Sequence, residues 1–281
     1  MVNFDGNLVE DDTRILGHHN RGLKYGDGLF ETMRCIHGKI FFWEDHYFRL
    51  MASMRILRME IPMTFTLEFL EEQILQTVKA NGLGDSAARV RLTVFRKSGG
   101  LYRPETNDIA YILECHELDA PFYLIPETHC QVELFKDFYV NRDMLSNLKT
   151  TNKLLNVVAS VYAQENGYDN CLLINTEKQV VEAINGNLFL VKDSTIKTPP
   201  LMDGCLDGII RKKLKEIITK MEEIDFQESS ISPFELQQAD ELFITNSIVG
   251  ILPITRYRKK QYGGNMGKNL LGKLNALARL G

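Results

Sequence analysis

The chain has 281 residues, 44% of them hydrophobic and 25% charged, with a net charge of −4. That balance describes one large or two modest globular domains and gives no basic surplus for nucleic acid. No apolar run reaches membrane-spanning length. Five scattered cysteines without a CxxC pair argue for a reducing cytoplasm, against a disulfide framework and against a cysteine-rich zinc site.

The opening "MVNFDGNLVEDDTRILG" has neither the basic start nor the apolar core of a signal peptide. "RGLKYGDGLFETMRCI" and "HGKIFFW" read as β-structure. Tyr47, Met51, Met54 and Leu57 recur at helical spacing and predict a helix over residues 44–58. Leu67, Leu70, Ile74 and Val78 predict a second over 66–81, with Gly82 just past its end. "ARVRLTVFRKSGG" alternates Ala88, Val90, Leu92 and Val94 against Arg89, Arg91, Thr93 and Phe95, as a half-buried strand does. "IAYILEC" is another strand. The polar, proline-containing break that follows divides the chain into an N-terminal α+β domain (1–117), a linker (118–123) and a C-terminal α+β domain (124–281).

"TNKLLNVVASVYAQENG" predicts a helix with Leu154, Leu155, Val158, Ala159 and Tyr162 as its stripe. "CLLIN" and "VVEAI" read as strands around a turn at Thr176-Glu177. "VVEAINGNLFLV" predicts a hairpin turning at Asn185-Gly186. A helix follows Gly208, and Ser232-Pro233 opens another with a cap and an N1 proline. "ELFIT" is a strand and "NLLGKLNALARL" a closing helix. Elements in this order make an α+β fold rather than a strict βαβ alternation.

Three residues stand out chemically. Lys149 lies just ahead of a predicted helix, whose positive end disfavours an ammonium and favours the free, nucleophilic amine. The plain alternative is a solvated lysine. Amine nucleophiles form Schiff bases, and the commonest cofactor requiring one is pyridoxal phosphate. Glu182 interrupts an apolar strand, where it faces water, pairs with a cation or serves a ligand; a protonated pyridine nitrogen is one such ligand. A phosphate needs a cation and helix-start amides, which Arg49 and Gly208-Ile209-Ile210 offer, although a surface arginine and a loop glycine would look the same. His18-His19 lacks a third ligand at a useful spacing, so no metal is expected.

These residues sit in blocks that resemble the class IV aminotransferase family, the fold-type-IV pyridoxal phosphate enzymes. The blocks are "NRGLKYGDGLFETMR", "HYFRL", "LKTTN", "VVEAINGNLFLV" followed by "TPP", "LDGIIR" and "DELFITNSIVGILPI", in that order over nearly the whole chain. The resemblance implies two α+β domains with pyridoxal 5'-phosphate between them, and a homodimer. It implies Lys149 as the catalytic Schiff-base lysine and Glu182 as the partner of the pyridine nitrogen. It assigns the phosphate to Arg49, Ile209, Ile210, Ser247 and Asn246. For the substrate carboxylate it offers Tyr25, while "FRKSGGLYRP" supplies Arg96, Tyr102 and Arg103 on a loop expected to be flexible. Two features depart from the pattern. Many relatives have threonine where this chain has Ile210, and the arginine–histidine pair of the D-amino acid enzymes lacks its histidine here. The implied reaction is transamination of a small, branched-chain-like amino acid with a 2-oxo acid acceptor. The alternative is 4-amino-4-deoxychorismate lyase, a step toward folate, which "NRGLKYGDGLFET" and Asn246 resemble. Lys149, Glu182 and Arg49 together argue against a non-catalytic scaffold, and no nucleic acid or membrane partner is expected.

Overall fold

A computed structural model describes residues 1–280 of the chain. They pack into two units, Met1–Pro121 with Lys149–Asn152, and Phe122–Leu148 with Lys153–Leu280. The reading of 124–281 as one domain carrying the lysine differs at the strip Lys149–Asn152. That strip joins the first unit through backbone pairing: Phe30 N–H donates to the Lys149 carbonyl and Thr151 N–H to the Gly28 carbonyl, each at 2.9 Å.

The first unit runs β1 (Val2–Phe4), β2 (Asn7–Val9), α1 (Arg21–Tyr25), β3 (Gly28–Ile36), β4 (Lys39–Ile40), α2 (Trp43–Ile56), α3 (Leu67–Ala80), β5 (Ala87–Arg96) and β6 (Ile109–Glu117). Its antiparallel sheet has the order β2-β1-β6-β5-β3-β4. Ala88, Val90, Leu92 and Val94 are all buried, as the alternation predicts. Helix α3 starts where the Thr66 side chain accepts the Phe69 N–H. The expected β-structure at "RGLKY" is instead the single-turn α1. Asn20 caps it by accepting the Leu23 N–H, and Gly26 closes it at φ 64°.

The second unit runs β7 (Gln131–Val140), α4 (Leu154–Glu165), β8 (Asn170–Asn175), β9 (Val180–Ala183), β10 (Gly186–Lys192), β11 (Thr195–Thr198), α5 (Ile209–Ile218), β12 (Asp225–Glu228), α6 (Pro233–Gln238), β13 (Glu241–Asn246), β14 (Gly250–Ile254), β15 (Arg256–Tyr257), β16 (Lys260–Gln261) and α7 (Asn265–Leu280). Its mixed sheet follows β12-β11-β10-β9-β8-β7-β15-β16, and β13 joins β10 to β14. Leu172, Leu188, Leu242 and Ile244 lie in its core. Ser232 and Glu235 form a reciprocal capping box at the start of α6.

Two local expectations change. Ala183 pairs with Gly186, so the hairpin loop is Ile184-Asn185, and neither residue has a positive φ. Gly186 is required for another reason: a Cβ there would stand 2.4 Å from the Thr245 carbonyl of the adjacent β13. On α4, Ala159 is buried and Leu155, Val158 and Tyr162 pack on the core, but Leu154 is exposed with Val157 and Val161.

Candidate active site

Lys149 sits in the extended strip paired with the start of β3, and α4 begins only at Leu154, behind Lys153 as N-cap. The helix-dipole argument for its amine therefore does not apply, because the strip bonds to β3 rather than entering a helical turn. Its Nζ lies 4.4 Å from the centre of the Phe30 ring, a cation–π distance.

Arg49 lies on α2 one turn after His46, and both reach Glu31 of β3. Arg49 Nε meets Glu31 Oε1 at 2.8 Å, and Nη2 meets Oε2 at 2.5 Å. His46 Nδ1 lies 2.6 Å from Oε2 and acts as the donor, since a carboxylate only accepts. Burial alone would raise the Glu31 carboxyl; the charges and hydrogen bonds of Arg49 and His46 outweigh it and hold it at about 2. Burial lowers the His46 imidazole, with Glu31 opposing, so the ring is neutral near pH 7. Its Nε2 is buried without a hydrogen-bond partner. Sequence reasoning missed Glu31 and His46. Glu31 interrupts an apolar strand as Glu182 does, and the His–Arg spacing of three was the available signal.

The expected carboxylate clamp is rearranged. Arg96 is 6% exposed and engaged at all three nitrogens. Nε binds Asp27, Nη1 the Arg58 carbonyl and Asn107, and Nη2 the Leu57 carbonyl. This moves the clamp away from Arg96. The loop after it is not loose: Arg21, also bound to Asp27, donates to the carbonyls of Gly99, Leu101 and Tyr102. Tyr102 and Arg103 are exposed, and the Tyr102 ring centre is 5.6 Å from that of Tyr25.

In the second unit, Glu182 and Asn187 are cross-strand partners, and Asn187 is also opposite Thr245, so the three share one sheet face. Glu182 Oε2 accepts the Leu206 N–H at 2.9 Å, and Asn187 Nδ2 donates to the Leu206 carbonyl at 2.8 Å. Two residues on, Gly208 starts α5 without a side-chain cap, and no acidic residue stands in the first turn. Ile209 and Ile210 bury their side chains in the core, while their amides lie where a helix has no internal acceptor. The positive end of α5 is thus left for an anion. Thr245 Oγ1 is buried on the neighbouring strand without a partner. Asn246 is consumed by its own turn: Nδ2 donates to the Asn185 carbonyl, and Oδ1 accepts from Ile248 and Val249. Its oxygen is taken up by the turn, while Nδ2 has a second N–H beyond the one given to the Asn185 carbonyl. Ser247 is half-buried, and its carbonyl accepts from the Tyr123 hydroxyl. Among the described residues no group of three His, Cys, Asp or Glu is placed to hold a metal, and no helix is long and apolar enough to cross a membrane.

The family model for amino-transferase class IV matches residues 28–257. A Methanocaldococcus jannaschii protein, provisionally named a branched-chain-amino-acid aminotransferase, is 31% identical over 90% of this chain and 86% of its own. The Thermoproteus uzoniensis branched-chain aminotransferase, solved with norvaline, superposes with a TM-score of 0.87 at 26% identity, covering 99% of this chain and 94% of the other. The Pseudomonas aeruginosa 4-amino-4-deoxychorismate lyase gives 0.81 at 27% identity, covering 98% of each chain.

Proposed function

From the premise that the chain belongs to the class IV aminotransferase family, a pyridoxal phosphate enzyme family, we propose that it transfers the amino group of a small, branched-chain-like amino acid to a 2-oxo acid. The observation that carries the cofactor is the turn before α5. There Glu182 grips Leu206, and two residues later the uncapped amides of the helix begin. A carboxylate and an anion cradle on one short turn fit a ligand with a cationic ring nitrogen at one end and a phosphate at the other. Arg49 adds a guanidinium whose orientation Glu31 fixes.

When bound, pyridoxal phosphate supplies an electron sink that acidifies the Cα–H of an attached amine. Lys149 would hold the cofactor through its amine, and its Nζ would accept the Cα proton of the substrate and donate it again. Glu182 supplies the negative charge that keeps a proton on the ring nitrogen. The amides of Ile209 and Ile210, Arg49 and Ser247 anchor the phosphate, far from the reacting atom. Tyr25, Tyr102 and Arg103 meet the substrate carboxylate.

The second reading is release of pyruvate and 4-aminobenzoate from aminodeoxychorismate, after the same proton removal. It is favoured by the 98% mutual coverage with the Pseudomonas lyase. Asn246 no longer distinguishes the two, since its amide serves its own turn. A cytoplasmic homodimer belongs to both readings. Leu154, Val157 and Val161 are exposed at helical spacing on α4, a face that a second copy would cover, and all five cysteines are unpaired thiols.

The test incubates the enzyme with 2-oxoglutarate and a panel of L- and D-amino acids, and separately with aminodeoxychorismate. Glutamate formed with a branched-chain amino acid is expected. 4-Aminobenzoate without glutamate from any donor would replace transamination by the lyase.

A further inference from the structure

We propose that Asn187 is a positioning residue that locks the orientation of Glu182 to the first amides of α5; the inference rests on the reading that these groups hold pyridoxal phosphate. Glu182 and Asn187 face each other across β9 and β10 and grip the two backbone groups of one residue. Glu182 takes the Leu206 N–H, and Asn187 gives an N–H to the Leu206 carbonyl. That carbonyl also accepts the Gly208 N–H at 2.9 Å, so Asn187 holds the oxygen that closes the turn into α5. Asn187 is 3% exposed, and such a buried amide loses its turn if its bond is removed.

The second observation concerns Gly208. Its φ is −77°, a conformation open to any residue, so backbone freedom does not require glycine there. A Cβ at that position would instead lie 2.0 Å from Asn187 Oδ1. Asn187 therefore sets the turn from both ends of its amide: Nδ2 draws in the Leu206 carbonyl, and Oδ1 rests against the helix cap. Asn147 also holds this segment, its Nδ2 donating to the Cys205 carbonyl and its own carbonyl accepting the Asp207 N–H. Asn187 is the side chain that ties the Leu206 carbonyl and the Gly208 cap to the strand opposite Glu182.

The test compares Asn187→Ala, Gly208→Ala and the double variant. Pyridoxal phosphate and phosphate-free pyridoxal are titrated into each, and the visible band of the bound chromophore is followed against pH. Each single variant should weaken pyridoxal phosphate by about tenfold and reduce its advantage over pyridoxal, as expected for one buried hydrogen bond. Each should also shift the pH at which the band changes, which a purely structural role would leave in place. In the double variant the added methyl no longer meets the amide, so the combined loss should stay near tenfold. Losses that multiply to about a hundredfold, or an unchanged affinity and band in Asn187→Ala, would overturn the proposal while leaving the cofactor reading intact. If Asn187→Ala does not fold, Gly208→Ala alone decides, because it probes the same contact with Asn187 in place. A wild-type chain that develops no visible band with pyridoxal phosphate would overturn the cofactor reading and this inference with it.

Discussion

Two strands of this protein each bury a carboxylate, and they do so by opposite means. Glu31, in β3, is met by side chains from α2: two nitrogens of Arg49 and the Nδ1 of His46. Glu182, in β9, is met by the backbone N–H of Leu206, with an asparagine bracing the same residue. A carboxylate bound by a guanidinium is neutralised within the protein and serves as a brace. A carboxylate that accepts a backbone N–H is oriented by the main chain, and the proposed reading uses Glu182 in that orientation. On the proposed reading, Glu31 belongs to the architecture around Arg49 and Glu182 to the chemistry.

The largest effect should come from the braced carboxylate. Glu31→Ala removes the carboxylate that both Arg49 and His46 bind, and breaking such a buried pair costs about 3–5 kcal/mol. Urea unfolding measures this, and a loss below about 1 kcal/mol would show that Arg49 is solvated. The acid limb has a definite sign. Glu31 is depressed from an ordinary 4.5 to about 2, so its contribution is complete above about 4.5 and disappears as pH falls through about 2. His46 is lowered from 6.5, so the unfolded chain takes up that proton first, and stability falls as pH drops below that value.

Glu182→Gln should do the reverse. The amide keeps the shape of the side chain and its contact to Leu206, so stability should change by less than about 1 kcal/mol. Turnover should fall by about 10²–10³-fold, the usual cost of removing one preorganised electrostatic group. Near wild-type kcat would make Glu182 a structural strand residue and erase the contrast. Arg49→Lys comes next. A lysine cannot reproduce the two-nitrogen fork on Glu31, so the affinity of the apoenzyme for pyridoxal phosphate should fall about tenfold with kcat little changed. An equal fall in kcat would mean that Arg49 acts on the reacting atoms.

The two carboxylates also differ in how they are read from sequence. Glu182 is conspicuous because it interrupts "VVEAI", and its own strand and the next block contain most of what it needs. Glu31 interrupts "GLFETM" just as plainly, but its meaning lies in Arg49 and His46 on another element, a tertiary pairing that periodicity does not encode. Helices α2 and α3 are legible because burial gives them a stripe, and α6 because Ser232 and Glu235 cap it locally. The strip at Lys149 is not, since its partners in β3 lie well over a hundred residues earlier and its own pattern runs into a helix. Asn185-Gly186 misleads by one residue because the glycine answers to the Thr245 carbonyl rather than to the turn.

The smallest effect concerns a third carboxylate, Asp27, which two arginines share. Arg21 Nε and Arg96 Nε both bind its Oδ2, at 2.8 and 3.0 Å. Arg21 then carries the loop at Gly99, Leu101 and Tyr102, while Arg96 ties Asp27 to the Arg58 and Leu57 carbonyls beyond α2. Asp27 thus resembles Glu31 rather than Glu182: it braces, and what it braces is the loop bearing Tyr102 and Arg103. Arg96→Lys should lose the contacts of the fork, about 1–2 kcal/mol of stability, and raise KM a few-fold by loosening that loop. Arg103→Lys should leave stability unchanged, because Arg103 is exposed, and should raise KM only if its guanidinium grips the carboxylate directly. Melting curves and KM are measured on both variants with whichever substrate proves active. A large KM rise in Arg96→Lys without any loss of stability would return the clamp to Arg96, whereas wild-type KM in both would leave Tyr25 as the residue to change.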